Sequence, residues 1–568
     1  MKFFDYRRIF LLSLLPWVFV FLFFSFSVKA ANVGDVVNFN VDKSFDAYNR
    51  IQVPGVLIKI TDSLYFYVEQ GWWNTKSSDD QMAILSDLDN LSAEFNNKIY
   101  PVLTATFGSE WRPGIDNNYR TSVLFESMNS GEGGYFREAD EYPKLQMPIS
   151  NEREMIYVSL DKITDPQVKK ILAHEFMHLI AFNQKNQING VEEDTWLNEA
   201  RADYSSTVLG YDDVYDRSNL QARVHDFIEN PSYSLTDWQG TKYNYATASM
   251  FTHYLVDQYG INILTDSLKS KYIGIASINY ALQKAGFKDD FSKIFSNWTV
   301  TVVLNDCSGN TRYCYLNANL KNLKILPSLN FLPLTGNVSL SVSNVTQNWT
   351  GNWIKFIGGS GDLKINFSSL VGLNFQVPYI LQDSGGTYAV SFFRIDSNEK
   401  GEINIPEFGT DYKSLTIIPS LQSQQMSDVT GANYPYTYAI YIAGSQPVGD
   451  QDLIKQLLER IAALKQEIAE LQKQKGTAQS CSQFYSDLYF GMSGVQVSCL
   501  QNFLKRQGAD IYPEGYVTGN FGSLTEAAVI KFQEKYASDI LTPIGFSKGS
   551  GYVGSRTRAK INQILSGK

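Results

Sequence analysis

Four histidines occur in the 568 residues, and two of them, His174 and His178, stand four apart in "ILAHEFMHLI" with Glu175 beside the first. Residues four apart on an α-helix share one face, so both imidazoles can address one ion. Glu175 projects from the adjoining part of that turn, where a carboxylate can hold a water and take its proton. Apolar residues fill the rest of the stretch. A plain buried helix spells the same pattern, and the pair alone does not choose between them.

"TWLNEARADY", residues 195–204, supplies what is missing. A hydrolytic zinc site takes three protein ligands and leaves one position open. Glu199 lies 21 positions after His178 on a second helical stretch and can be the third ligand. Asp203 follows one turn later on the same face, where it can accept a hydrogen bond from a ligating imidazole and fix its tautomer. These residue types at these spacings predict a zinc hydrolase rather than a set of solvated helix charges. No Cys-x-x-Cys occurs, so cysteine-based zinc or redox chemistry is not indicated.

The elements that must position these groups fall between residues 33 and 325. "YRTSVLFESM" and "EMIYVSL" read as strands from their β-branched and aromatic content. "DDQMAILSDLDNLSAEFNNKIYPVLTATFG" carries apolar residues at three- and four-residue spacing, with Gly108 as a stop. "DPQVKKILAHEFMHLIAFNQ" is helical too, with Asp165 as cap and Pro166 in the first turn. "SMFTHYLVDQYG" and "SINYALQKAG" are further helices closed by glycine.

From 330 to 445 the pattern turns to alternating strands such as "GDLKINFSSL" and "YTYAIYIAG", which predict a β-sandwich. In 450–475, Ile454, Leu457, Ile461, Leu464, Ile468 and Leu471 keep an alternating three and four spacing. That suits either a short coiled coil, which would make oligomers, or a solvated spacer helix. Residues 479–568 hold three short amphipathic helices behind glycine-rich turns, with no long internal repeat. A chain of 568 residues accommodates such a division into several folding units.

Net charge is −9 and no basic stripe is present, so nucleic-acid binding has no electrostatic support. The first 30 residues combine a basic start, the apolar run "IFLLSLLPWVFVFLFFSF" and small residues at Val28 and Ala30. They read as a signal peptide that exports the chain, or as an uncleaved membrane anchor. The four cysteines form two local pairs, Cys307 with Cys314 and Cys481 with Cys499, as disulfides in an oxidising compartment would. "DSNEKGEINIPE" (396–407) has Asp, Asn and Gly at calcium-loop positions, but Lys400 occupies a ligand position. A hairpin with a glycine turn is the expectation there.

HEFMH followed by NEARAD resembles the gluzincin metallopeptidases, and "LAHEFMHLIAFNQK" with "WLNEARADY" looks most like the hyicolysin-type neutral metallopeptidases. The likeness extends back through "LSAEFNNKIYPVLTATFGSEWRPGIDNN" and "GGYFREADEY" and forward to about 325. It implies a thermolysin-like α+β domain in which His174, His178 and Glu199 bind Zn2+. Glu175 would be general base and then acid, and Asp203 would support a ligand. Of His225, His253, Tyr243 and Tyr245 as donors to the developing oxyanion, it favours Tyr245. Ala200 and Arg201 stand where such relatives carry small or apolar residues.

"LYFGMSGVQVSCLQNFLKRQG" and "VTGNFGSLTEAAVIKFQEKY" resemble the peptidoglycan-binding domain of bacterial wall enzymes, although "ASDILTPIGFSKGSG" lengthens the spacing. The combined expectation is a secreted zinc endopeptidase at the cell wall, acting on protein or peptide substrates. Its competitors are a hydrolase of peptidoglycan stem peptides and an inactive wall-bound adhesin or scaffold.

Overall fold

The computed structural model describes residues 31–334, 337–423, 431–442 and most of 483–566. The segments expected to be a signal peptide (1–30) and a coiled coil (450–475) lie outside the described residues, as does Cys481. The chain divides into two compact units, Met1–Pro447 and Val448–Lys568.

The first unit opens with six strands: β1 (Val36–Asn40), β2 (Gln52–Ile60), β3 (Leu64–Glu69), β4 (Thr121–Glu126), β5 (Gly134–Phe136) and β6 (Met155–Ser159). They form one sheet in the order β1-β2-β3-β4-β6-β5, parallel across β3-β4-β6 and antiparallel elsewhere. Both faces are buried because successive side chains alternate. Val123, Phe125, Ile156 and Val158 enter the main core under the helices, while Leu124, Met155 and Tyr157 join Phe39 and Tyr67 in a second, smaller one.

Among the described residues of this unit lie the helices α1 (Gln70–Trp73), α2 (Ser78–Glu94), α3 (Tyr100–Phe107), α4 (Val168–Phe182), α5 (Thr195–Val208), α6 (Asn219–Glu229), α7 (Lys242–Tyr259), α8 (Asn262–Leu268), α9 (Gly274–Lys284) and α10 (Phe291–Leu304). The long helical segment before Gly108 is interrupted by a π turn over Phe95–Ile99, just ahead of Pro101, which has no N–H to give to a regular ladder. Gly108 stops it at φ +103°. Helix α4 starts at Val168, two residues after Pro166, because Asp165 closes a separate turn through its Oδ1 to the Gln167 N–H (2.8 Å).

The strands after Ser328 pair in two runs. Val338–Thr346, Tyr434–Ile442, Gly361–Ser369 and Lys400–Phe408 make the first. Tyr388–Phe392, Pro378–Asp383, Tyr412–Ile417, Ile354–Gly358 and Ser328–Leu332 make the second. One pair, Phe408↔Tyr412, links them into a nine-stranded sheet, and their apolar faces share one core in which Phe356 meets Tyr438. This region also completes the helical core. Trp349 packs on Phe291 and Phe295, and the Trp353 indole donates to the Thr299 carbonyl (2.8 Å). Asp396–Lys400 is a tight turn into a strand, with Glu399 accepting from the Asn374 and Phe375 N–H groups, but the strand before it, Tyr388–Phe392, pairs with Pro378–Asp383 and not with Lys400–Phe408, so the turn does not close the expected hairpin.

The second unit contains the helices Val495–Arg506, Ser523–Lys535 and Ser555–Leu565 around Leu500, Phe503, Phe521, Phe532 and Val553. A repeat that the residue pattern did not reveal appears in its side-chain contacts. Gln501 accepts from the Gly519 N–H, 18 residues on, and donates to Thr525, 24 residues on. Gln533 makes the same two contacts with Gly551 and Thr557, again 18 and 24 residues on. The segment that lengthens the spacing therefore closes on its helix just as the first loop does. Cys307 and Cys314 are bonded, and Cys499 is in a disulfide.

Candidate metal centre and cleft

Helix α4 is buried on most sides because it lies between the sheet and the helical layer, with Phe176 set against Phe95 and Tyr100. That packing fixes its rotation and turns His174 and His178 toward α5. His174 Nε2 stands 3.3 Å from Glu199 Oε2, His178 Nε2 stands 3.7 Å from the same oxygen, and the two nitrogens are 3.3 Å apart. Ligands on arms of about 2.0–2.1 Å at a tetrahedral angle lie about 3.3–3.4 Å apart, so the three atoms mark one face of a zinc-sized tetrahedron. Glu199 Oε2 is buried and accepts no hydrogen bond, which leaves it free for a cation. The donor set, two imidazoles and one carboxylate, suits zinc.

The connection between α4 and α5 is clamped by a buried ion group. Glu193 Oε2 meets Arg201 Nη1 at 2.7 Å and Lys185 Nζ at 3.3 Å, and Arg201 also donates to Ser267 Oγ. Lys185 Nζ also donates to the Ser267, Ser270 and Tyr272 carbonyls. Arg201 therefore points away from the cleft and into the support of α5.

Glu175, His174, His178, Glu199 and Tyr245 line one cleft of about 330 Å³, together with Gly134, Tyr135 and Phe136 of β5. Burial raises the Glu175 carboxyl above the ordinary range, and the neighbouring histidines partly offset that. Burial opposes the Glu199 charge, yet His178 and His174 hold its pKa well below normal. Burial would likewise lower His178, but the Glu199 carboxylate raises it to about 9. Tyr245 is pushed far up, first by burial and then by Glu199 and Glu175, so its hydroxyl stays protonated. Trp238 meets its ring edge-on at 4.8 Å, and the Arg223 guanidinium lies 4.7 Å from the ring centre.

Asp203 Oδ1 accepts from Asn219 Nδ2 (2.7 Å) and from Arg223 Nε and Nη2 (3.0 and 2.8 Å). Its link to the metal site is electrostatic: after burial and Arg223, His174 is among the groups acting on its pKa. Helix α6 thus supplies Asn219 and Arg223, two supports that carry no motif spacing. The other candidates lie elsewhere. His253 is buried against Tyr204 and Thr207, and His225 is exposed beside Asp226. The cluster His225, Asp226 and Glu229 has its carboxylates taken by Lys242. Tyr243 lies with its ring tilted against that of Tyr233, 5.6 Å between centroids.

Over 193 residues the chain is 28% identical to the neutral metalloprotease ShpI of Staphylococcus hyicus. The match covers 30% of this chain and 42% of that relative, so the chain spans less than half the length of the curated relative it matches. Residues 493–537 match the family described as "Putative peptidoglycan binding domain". One part of the chain is thus similar to a neutral metalloprotease and another to a peptidoglycan-binding family. Among solved structures, a pre-peptidase C-terminal domain of a Bacillus anthracis collagenase overlaps 20% of this chain and 96% of its own at 12% identity and a TM-score of 0.14. A functionally unknown conserved protein of Bacillus anthracis overlaps 38% of this chain and 40% of its own at 11% identity and 0.21. Overlaps this low carry no argument. Among the described residues no helix is long and apolar enough to cross a membrane.

Proposed function

We propose that the chain is an exported zinc endopeptidase held at the bacterial cell wall through residues 479–568. The observation that carries the catalytic reading is the tetrahedral-edge spacing of His174, His178 and Glu199, with Glu175 and Tyr245 lining the same cleft. Zinc at these ligands supplies Lewis acidity, polarising a scissile carbonyl and acidifying water. Glu175, whose carboxylate burial makes more basic than a solvated one, takes the proton of the attacking water and returns it to the leaving amine. The Tyr245 hydroxyl donates a hydrogen bond to the developing oxyanion. Among the described residues strand β5 is paired only with β6, and the edge this leaves can pair with an extended peptide. The thermolysin-like catalytic domain, the β-sandwich and the helical stalk are the fold reading that accompanies this function.

Glu175→Gln is expected to keep one zinc per chain and lose casein hydrolysis by at least about 10²–10⁴-fold. Casein cleavage at the wild-type rate by the zinc-loaded variant would refute the role. Release of stem peptides from sacculi, with casein left intact, would shift the substrate to peptidoglycan.

A further inference from the structure

The second unit holds two exposed tyrosines side by side. Leu488 and Val553 form an antiparallel bridge, the Val553 N–H donating to the Leu488 carbonyl at 2.8 Å and the Leu488 N–H to the Val553 carbonyl at 3.3 Å. Both side chains are buried in the core of the unit. Side chains alternate along extended backbone, so the next residues, Tyr489 and Tyr552, turn outward opposite each other. Their rings lie 15° from parallel with centroids 5.7 Å apart, and the two residues are 49% and 44% exposed.

The Tyr552 ring is anchored. Its hydroxyl donates to Asp487 Oδ2 (2.7 Å), and Asp487 Oδ1 accepts from Arg558 Nε and Nη2 (2.9 and 2.7 Å). A Cβ at Gly554 would stand 3.2 Å from Cδ1 and Cε1 of this ring, closer than such atoms normally pack, so glycine there makes room for it. Holding a ring in place beforehand avoids the entropy cost of ordering it on binding. The loop itself does not ask for an aromatic residue. In the two copies of the Gln-to-Gly contact, Gly519 is followed by Asn520 and Gly551 by Tyr552. Residues 479–568 also carry nine lysines and arginines against six aspartates and glutamates, in a chain whose net charge is −9. That local excess of positive charge suits a polymer that bears carboxylates.

We propose that Tyr489 and Tyr552 form a platform on which a hexosamine ring of the wall's glycan strand stacks. The proposal rests on the wall-binding reading of residues 479–568 and names the contact that makes it. A pyranose ring offers a face of C–H groups to an aromatic face, while its hydroxyl and amide groups stay at the rim in water. Tyrosine, with an apolar body and a polar tip, suits such a half-wet contact.

The test is co-sedimentation of the purified full chain with protein-free sacculi, with soluble glycan strands and free stem peptides as competitors. The wild type is expected to sediment, and glycan strands but not stem peptides should displace it. Tyr489→Ala and Tyr552→Ala should each weaken binding about tenfold with Tm unchanged. Tyr552→Phe, which keeps the ring and loses its bond to Asp487, should fall between. Tyr489→Ala serves alone where Tyr552→Ala does not accumulate. Binding of wild-type strength in the alanine variants overturns the platform and leaves wall binding standing, and so does displacement by stem peptides alone. A wild type that stays in the supernatant overturns wall binding and the platform together.

Discussion

Tyr245 and His253 sit on the same helix, eight residues apart, and burial acts on them in opposite senses because their charged forms have opposite sign. Burial and the nearby carboxylates keep Tyr245 a neutral donor. Tyr245→Phe removes that donor and little else, since Trp238 and Arg223 grip the ring rather than the hydroxyl. Its kcat should fall about 10²-fold with KM nearly unchanged, measured on a peptide substrate. His253 is lowered to about 4 by burial, against a slight opposing pull from Asp203, and it faces Tyr204, Thr207 and Asn317. The unfolded chain takes up this proton near 6.5 and the folded chain resists until about 4. The stabilising contribution is therefore full above 6.5 and lost as pH falls toward 4, amounting to about 3 kcal/mol. Denaturant unfolding at neutral and acid pH should show that loss in the wild type and a smaller one in His253→Gln.

At the scale of elements, the candidate metal centre depends on how α4 and α5 are joined. An α-helix sets the His174–His178 spacing by itself, but Glu199 reaches them only because the intervening segment is tied down by Glu193, Arg201 and Lys185. Removing one partner of a buried ion group leaves an uncompensated charge, which costs about 3–5 kcal/mol. Arg201→Ala should lose stability of that order and bind zinc more weakly, measured by unfolding and by zinc competition with a chelator. Unchanged stability would mean that the clamp is dispensable. The residue pattern marked Arg201 only as a departure from relatives. Its role was illegible because its partners, Glu193 and Ser267, come from different parts of the chain.

At the scale of the whole molecule, the β-rich region contributes to the interior of the unit that holds the cleft. Trp349, Trp353, Ile380 and Ile418 belong to the same core as α7 and α10. Local alternation of polar and apolar residues could mark the strands but not this shared core, because alternation reports which face is buried and not against what. The second unit has a core of its own. The 479–568 fragment should therefore fold alone and sediment with purified sacculi. Its recovery wholly in the supernatant would remove the wall-binding role.

What the sequence determined by itself was whatever short-range geometry dictates. Four-residue helical spacing makes His174 and His178 neighbours, and glycine-stopped amphipathic stretches mark the helices. Only the tertiary structure decided the rest. It carried Glu199 and Tyr245 to the histidines and turned Asp203 toward Arg223. Those meetings join segments far apart in the chain, and the packing that enforces them is spread over many residues, each ordinary in its own local pattern.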